Sequence, residues 1–189
     1  MNARGLPERV FLVGFMGAGK TTVGRALAQL AGYGFLDTDA EVEARAGRSI
    51  EEIFRADGEG DFREREWEAL LATAARTRLV VATGGGLFLA EAHREFIGRH
   101  GVSVWLEVPL ETVWERCRDL PGRPLFTTCA ELAELLAARR DRYALADHRV
   151  AAGGRGAAEI AQEILDRLGG AAAPASPADS KPTEEGPRP

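Results

Sequence analysis

Cysteine is scarce in this sequence. The 189 residues include two cysteines, Cys117 and Cys129, which are too few for a disulfide framework and lack the paired spacing of a zinc site. The three histidines are scattered and do not form the i, i+4 pair of a helical zinc site. The sequence therefore favours neither a disulfide-stapled protein nor a zinc protein.

The sequence also lacks long apolar runs and a positive net charge. No segment approaches the apolar length needed to span a bilayer, and residues 1–10 lack the apolar core and cleavage site of a secretory signal. The formal net charge is −5, whereas a nucleic-acid-binding domain is usually basic with clustered cations. We expect a cytoplasmic protein that binds neither membranes nor nucleic acids.

Lysine is rare although cations are not. The chain has 24 lysines and arginines, of which only Lys20 and Lys181 are lysines. Because Lys181 lies near the C-terminus, Lys20 is the only lysine in the part of the chain expected to fold. This isolation indicates that position 20 requires an ammonium group.

Short apolar runs alternate with helix-like stretches from residue 9 to residue 168. This alternation is typical of βαβ units around a parallel sheet. Helical spacing marks Thr21–Ala31 and Ala157–Leu168, and Ser49 with Glu52 predicts a capping box. The predicted strands are Val10–Val13, Phe35–Leu36, Leu79–Ala82, Val102–Leu106 and His148–Ala151. The sequence thus predicts one α/β domain with five parallel strands and helices on both faces.

The two ends of the chain differ from this domain. Residues 1–8 are expected to form a short N-terminal extension. Residues 169–189 hold five of the nine prolines together with alanine, serine and acidic residues, and almost no large apolar side chains. Such a composition predicts a disordered tail.

A phosphate-binding loop is the strongest motif. GFMGAGKT, residues 14–21, follows a predicted strand and precedes a predicted helix, which is the setting that GxxxxGK[ST] requires. The glycines allow backbone N–H groups to turn inward, and the helix adds its positive end. Lys20 would reach the β- and γ-phosphates and Thr21 would ligate Mg²⁺. The candidate ATP-binding residues here are Gly17, Ala18, Gly19, Lys20, Thr21 and Thr22.

Two other interpretations of this loop are weaker. A glycine turn could occur by chance in a chain with 22 glycines. A dinucleotide-binding fingerprint would use Gly14, Gly17 and Gly19, with Asp37 on a ribose. The spacing, however, is GxxGxG instead of GxGxxG, and this interpretation gives Lys20 no role.

Asp37 and Asp39 form the second candidate cluster. They follow the second predicted strand, at the end where open α/β sheets bind ligands. In an extended chain residues two apart point to the same side, so the two carboxylates would converge near the γ-phosphate. One suits a hydrated Mg²⁺ and the other an acceptor hydroxyl. Alternatively, Asp39 simply caps a helix at residues 40–46.

Three further features are less decisive. The third strand ends without an acidic residue and runs into Gly84, Gly85 and Gly86, which could approach a ligand or form a flexible turn. Arg63 lies among acidic residues of a helix-like segment, which favours a salt-bridged surface. Arg123 lies in a proline-bracketed loop that suits a mobile lid carrying a phosphate-directed arginine.

Taken together, the motifs resemble the shikimate kinase family from residue 9 to residue 168. The likeness rests on GFMGAGKT, LDTD, GRSIEEIFRADGEGDFRERE, TGGG, GRPLF and Arg139 four residues before Tyr143. The resemblance implies a P-loop NTPase fold like that of nucleoside monophosphate kinases, with a substrate-binding helical region and a lid at about residues 117–130. It also implies ATP and shikimate as substrates, Mg²⁺ as cofactor and shikimate 3-phosphate as product. We further expect a monomer.

The resemblance also assigns roles by position. Asp39 would hold the attacking hydroxyl as base or orienting group, and Asp37 would assist Mg²⁺ through water. Arg63 and Arg139 would bind the substrate carboxylate, with the amides of residues 84–86 completing that pocket. Arg123 would close over the phosphates, and Arg116 would stack on adenine, near which Arg155 is also placed. Whether Arg139 or the adjacent Arg140 faces the substrate stays open.

The alternative functions at this point are another metabolite kinase, a GTP-dependent switch and a nucleotide-binding regulator without catalysis. Another small-metabolite kinase of the same fold, such as a gluconate kinase, would also bind an acidic polyol. A GTP-dependent switch would need a guanine-reading NKxD segment, but the only asparagine is Asn2.

Overall fold

A five-stranded parallel sheet forms the centre of the molecule. The computed structural model describes residues 5–118 and 128–170. The strands lie in the order β2-β3-β1-β4-β5, and every neighbouring pair is parallel. They span β1 Arg9–Val13, β2 Gly34–Asp37, β3 Leu79–Ala82, β4 Val102–Glu107 and β5 His148–Ala151. The predicted five-stranded α/β fold is confirmed.

Side-chain burial distinguishes the interior strands of the sheet from its edge strands. β1 and β3 are buried at every residue, as strands covered by helices on both faces must be. β2 and β5 expose part of each strand, which fits their positions at the sheet edges. The strands that are buried at every residue therefore lie in the interior of the sheet.

Helices surround this sheet in the described ranges. They span α1 Lys20–Ala31, α2 Thr38–Ala46, α3 Ile50–Ala56, α4 Gly58–Leu71, α5 Glu91–His100, α6 Leu110–Cys117, α7 Cys129–Tyr143 and α8 Ala157–Gly170. α8 continues past the boundary expected at residue 168. The predicted capping box at Ser49 and Glu52 is present at the start of α3. None of the helices in the described ranges is long and apolar enough to cross a membrane.

Two apolar clusters divide the interior. The larger one joins the sheet to its flanking helices. The smaller one consists of Val42, Ile53, Phe62 and Ala69, and it holds α2, α3 and α4 together. These three helices thus form a helical region with a small core of its own beside the carboxyl ends of β2 and β3.

The described part of the N-terminal extension packs on the domain. Leu6 is buried in the larger cluster, and the Tyr33 hydroxyl donates a hydrogen bond to the Pro7 carbonyl at 3.0 Å. Residues 5–8 are thus part of the packed structure.

Candidate active site

The loop between β1 and α1 has the backbone of an anion-binding turn. Gly14 and Gly17 have φ angles of 136° and 73°, values that disfavour any residue with a Cβ. A Cβ would also lie 2.7 Å from the Leu106 carbonyl oxygen at Gly14 and 2.6 Å from the Cys117 Sγ at Gly17. The loop then enters α1, whose first N–H groups have no helical acceptors. Its shape therefore depends on glycine and favours a bound anion.

Lys20 begins α1 and its side chain is buried. Its Nζ donates to the carbonyl oxygens of Gly14 and Phe15, both at 2.8 Å. These bonds hold the ammonium inside the curve of the loop. An anion in the loop would meet a positive charge that the protein has already oriented.

A cavity of about 500 Å³ opens over this loop. Its walls include Asp37, Asp39 and Gly85, so the structure brings the phosphate-binding loop, the aspartate pair and part of the glycine run together. The predicted ATP-binding residues in the walls are Gly17, Ala18, Gly19, Lys20, Thr21, Thr22, Arg116 and Arg155. Four predicted substrate-binding residues lie beside this cavity and do not line it: Arg63, Gly84, Gly86 and Arg139.

Asp37 connects the cavity to the second helix. Thr21 Oγ1 donates to Asp37 Oδ2 at 2.6 Å, while Asp37 Oδ1 accepts the amides of Asp39 and Ala40. Asp37 is therefore the N-cap of α2, and Asp39 lies in its first turn. The sequence interpretation placed both aspartates in extended chain and considered Asp39 as the cap. That interpretation is wrong because the helix begins at Thr38, directly after the strand.

The donors around Thr21 are suited to a hard cation. A threonine hydroxyl and a carboxylate oxygen are both oxygen ligands, the kind that Mg²⁺ prefers, and Mg²⁺ in phosphoryl transfer takes its other ligands from water and phosphate. In the two described ranges there is no group of three or more acidic, histidine or cysteine side chains that could hold a metal ion by itself. The pocket fits a magnesium ion carried in with a nucleotide.

A buried acidic residue lies next to Asp39. Glu66, on α4, is 1 % exposed, and a Cβ at Gly84 would clash with its Oε1 and lie 2.5 Å from Asp39 Oδ1. Burial raises the pKa of the Glu66 carboxyl to about 7; the hydrogen bond and charge of Arg63 act against this rise, and the charge of Asp39 adds to it. Gly84 thus leaves room for two carboxylates.

Arg63 links this acidic pair to the glycine run. Its Nη1 donates to Glu66 Oε2 at 2.5 Å, and its Nη2 donates to Glu59 Oε1 at 2.9 Å. A Cβ at Gly86 would lie 2.6 Å from Arg63 Nη1. A guanidinium has more N–H donors than these two partners use, so it can also bind a ligand carboxylate.

Two hydroxyl groups hold the glycine run. Gly84 donates its N–H to Thr38 Oγ1 at 2.8 Å, and Gly85 accepts from the Tyr143 hydroxyl at 2.5 Å. The Gly84 amide, expected to face the substrate, is thus used inside the protein. Gly85 lies in the cavity wall, and Gly86 lies against Arg63.

Arg139 and Arg140 face different parts of the molecule. The Arg139 guanidinium lies 5.5 Å from the centre of the Phe15 ring, beside the phosphate-binding loop. Arg140 instead bonds to Glu107 on β4 at 3.3 Å. The geometry thus favours Arg139 over Arg140 as the arginine near the candidate site.

The far end of the cavity is apolar. Ala152, Ala157 and Ile160 line it, and Arg116 donates to the Gly17 carbonyl at 2.9 Å. Arg155 also lines it, but its guanidinium bonds to the Ala151 carbonyl, Glu159 and Glu163. A flat base fits between these apolar side chains.

The predicted and the observed site residues differ in two ways. Arg123 and most of the expected lid lie outside the described residues. Sequence reasoning missed Glu66, which it took as part of a salt-bridged surface, and gave no role to Thr38 or to the Tyr143 hydroxyl. The available signals were the spacing of three between Arg63 and Glu66, which puts both on one helix face, and the threonine between two aspartates.

The fold and this cavity define a class of protein. A lysine-bearing phosphate-binding loop after the first strand of a parallel sheet, sharing one cavity with two carboxylates at the carboxyl end of another strand, is the arrangement of a P-loop phosphotransferase.

Comparison with known proteins then gives the family. The shikimate kinase family model matches residues 16–169. Shikimate kinase from Ruegeria pomeroyi is 47% identical over 169 residues, covering 88% of this chain and 85% of that protein. The chain belongs to the shikimate kinase family.

Solved structures agree with this assignment. A shikimate kinase from Acinetobacter baumannii in complex with shikimate superposes with a TM-score of 0.81 at 39% identity, covering 85% of this chain and 92% of that one. A gluconokinase from Sinorhizobium meliloti superposes with a TM-score of 0.53 at 23% identity, which shows a shared fold alone.

Proposed function

We propose that this chain transfers the γ-phosphoryl group of ATP to the 3-hydroxyl of shikimate, giving ADP and shikimate 3-phosphate. The observation that carries the proposal is that one cavity joins the lysine-bearing loop to Asp39, in a chain of the shikimate kinase family. ATP would place its phosphates in the loop and its base at the apolar end. The acceptor would lie beside Asp39, between the loop and the helical region α2–α4.

Asp39 acts on the acceptor hydroxyl in this proposal. The hydroxyl oxygen attacks the γ-phosphorus while its proton passes to the Asp39 carboxylate. The bond between the γ-phosphorus and the bridging oxygen breaks, and ADP leaves with that electron pair. Lys20 stabilises the negative charge on the phosphate oxygens. Arg123, which the family resemblance assigns to the same oxygens, lies outside the described residues.

Mg²⁺ is part of the proposal as the ion that enters with ATP. Thr21 and Asp37 would hold it, Asp37 through water, and its charge neutralises phosphate oxygens. The 2.6 Å bond between Thr21 and Asp37 supports this assignment because it brings the two oxygen ligands together.

Two arginines would bind the carboxylate of shikimate. Arg63, on α4, lies against Gly86, and Arg139, on α7, lies beside Tyr143, whose hydroxyl bonds to Gly85. Planar guanidinium groups suit a carboxylate because they can donate two parallel hydrogen bonds. The amides of Gly85 and Gly86 would complete this pocket, while Gly84 makes room for Asp39 and Glu66.

At the nucleotide end, Arg116 would stack on the adenine ring. Arg155 would act there by holding the loop before α8, since its guanidinium already bonds to Ala151, Glu159 and Glu163.

The proposal also includes a monomer in the cytoplasm, where ATP is available. The phosphate-binding loop, Asp37, Asp39 and Gly85 line one cavity within a single chain, which supports activity without a second copy. We expect sedimentation of the active protein at assay concentration to give the mass of one chain. Activity that is lost when dilution leaves only single chains would contradict a monomeric enzyme.

A coupled assay of ADP release tests the function directly. The purified protein is assayed with ATP, Mg²⁺ and one acceptor at a time: shikimate, gluconate or a nucleoside monophosphate. We expect rapid ADP release with shikimate alone, and a product whose mass is that of shikimate plus one phosphoryl group. Preference for gluconate, or ATP binding without acceptor-dependent ADP release, would contradict the proposal.

A further inference from the structure

The Tyr143 hydroxyl connects two elements of the candidate acceptor pocket. Tyr143 is the last residue of α7 and is 1 % exposed. Its hydroxyl donates to the Gly85 carbonyl, 58 residues away in the chain. Tyr143 does not line the cavity, but Gly85 does.

The bond to Gly85 fixes the direction of a neighbouring amide. The Gly85 C=O and the Gly86 N–H belong to one planar peptide unit, and the described residues contain no cis peptide bond. Holding the carbonyl toward Tyr143 therefore turns the Gly86 N–H the opposite way. Without that bond, the conformational freedom of consecutive glycines would allow the peptide to rotate.

The same hydroxyl also lies beside Arg139. Burial raises the pKa of Tyr143 to about 12, and the charge and hydrogen bond of Arg139 act against that rise. Arg139 is one helical turn before Tyr143 on α7, and its guanidinium lies over the Phe15 ring. Tyr143 thus contacts both a pocket arginine and a pocket backbone group.

We propose that Tyr143 is a positioning residue for acceptor binding, which fixes the Gly85–Gly86 peptide and the Arg139 guanidinium through one buried hydroxyl. This inference rests on the proposed function, because the two groups it positions are assigned to the shikimate carboxylate. Tyr143 touches neither substrate and takes no part in the chemical step.

The chain offers a matched control for its test. Tyr33 is the only other tyrosine, and its hydroxyl also donates one hydrogen bond to a backbone carbonyl, that of Pro7. Tyr143→Phe and Tyr33→Phe therefore delete the same atom, one beside the candidate pocket and one away from it.

Steady-state kinetics of the two variants separate positioning from stability. For Tyr143→Phe we expect the KM for shikimate to rise about tenfold, since a buried carbonyl loses its partner, while the KM for ATP changes less than about twofold. Tyr33→Phe should leave both KM values unchanged. Equal shikimate KM values in the two variants would overturn the inference.

A double-mutant cycle tests the part that acts through Arg139. If Tyr143 orients Arg139, Tyr143→Phe should weaken shikimate binding less in an Arg139→Ala background than in the wild-type background. Equal losses in the two backgrounds would contradict the coupling to Arg139.

A fluorine label on Tyr143 tests the inference if Tyr143→Phe fails to fold. In a Tyr33→Phe background, 3-fluorotyrosine marks Tyr143 alone, and its ¹⁹F resonance should shift when shikimate is added. An unmoved resonance at saturating shikimate would overturn the inference. Absence of shikimate-dependent ADP release in the wild-type protein would instead contradict the proposed function itself.

Discussion

Arg139 and Arg140 are adjacent on α7, but their side chains contact different parts of the protein. Arg139 lies beside the phosphate-binding loop and Tyr143, whereas Arg140 is 60% exposed and pairs with Glu107 across the end of β4. The sequence alone left open which of the two faces the substrate. Because their contacts differ, alanine variants of the two arginines can be compared directly for their effect on shikimate binding.

Replacing each arginine by alanine should give different kinetics. Arg139→Ala is expected to raise the KM for shikimate at least about tenfold, because a charged hydrogen bond to a carboxylate is lost. Arg140→Ala should leave that KM unchanged, since it removes only a surface ion pair. The coupled ADP assay measures both, and a larger effect at Arg140 would reverse the assignment.

Glu66 carries a pH dependence that can be measured without substrate. Its carboxyl has a pKa of about 7 in the folded protein against an ordinary value of 4.5, and the charged groups around it are Arg63, Asp39 and Glu59. The folded protein therefore keeps this proton at a pH where the unfolded chain has lost it. The resulting stabilisation is complete below about pH 4.5 and is lost as pH rises through about 7, a change of roughly 3 kcal/mol.

Urea unfolding from pH 5 to pH 8 would detect this effect. Relative to Glu66→Gln, the wild-type protein should lose free energy of unfolding as pH rises. Glu64→Gln, on the exposed side of the same helix, should follow the wild-type profile. A constant difference between wild type and Glu66→Gln across this range would contradict the assigned pKa.

At the scale of elements, Arg9 fastens the first strand to two helix ends. It is 6% exposed, and its guanidinium donates to the carbonyl oxygens of Thr73, Ala74 and His100. Thr73 and Ala74 belong to the 3₁₀ helix Ala72–Ala75, and His100 ends α5. Terminal helix carbonyls are short of helical partners, and one buried side chain bonds to three of them. Of the three, the Thr73 carbonyl also accepts the Arg76 N–H at 3.0 Å.

Arg9→Met should therefore be strongly destabilising. We expect a loss of about 2–4 kcal/mol in the free energy of unfolding, because buried carbonyls lose their donors. Arg99→Met is the control, since Arg99 is 72% exposed and pairs with Glu95 within one helix; it should cost less than about 0.5 kcal/mol. Equal midpoints in denaturant for the two variants would contradict the role of Arg9.

The local elements were largely predictable from the sequence. Apolar runs predicted the interior strands because buried parallel strands need apolar side chains on both faces. Shorter runs predicted the edge strands β2 and β5, which are partly exposed. Ser49 and Glu52 predicted the start of α3 because a capping box is a local interaction. The start of α2 was predicted two residues late, since Asp37 ends the strand and caps the helix at once.

At the scale of the whole molecule, the parallel sheet brings distant segments to one edge. β1 lies between β3 and β4, so the phosphate-binding loop meets the glycine run that follows β3. The Asp37–Asp39 segment follows β2 at the same edge. The cavity over these strand ends is therefore a consequence of strand order.

This long-range order limits what sequence reasoning could predict of the site. The motif residues Lys20, Thr21, Asp37 and Asp39 were found because each lies beside a strand end. Glu66 and Tyr143 were not, because their contacts depend on how α4 and α7 pack against the loop after β3. No local pattern reports a hydrogen bond between residues 58 positions apart.

In the proposed function, Asp39 and the lysine-bearing loop together perform the transfer to shikimate. The most direct test is the turnover of Asp39→Asn, a variant of nearly equal size, measured as shikimate-dependent ADP release beside its shikimate affinity. We expect a kcat lower by about 10²–10⁴, with shikimate binding and the fold retained. A kcat near that of the wild-type protein would contradict it.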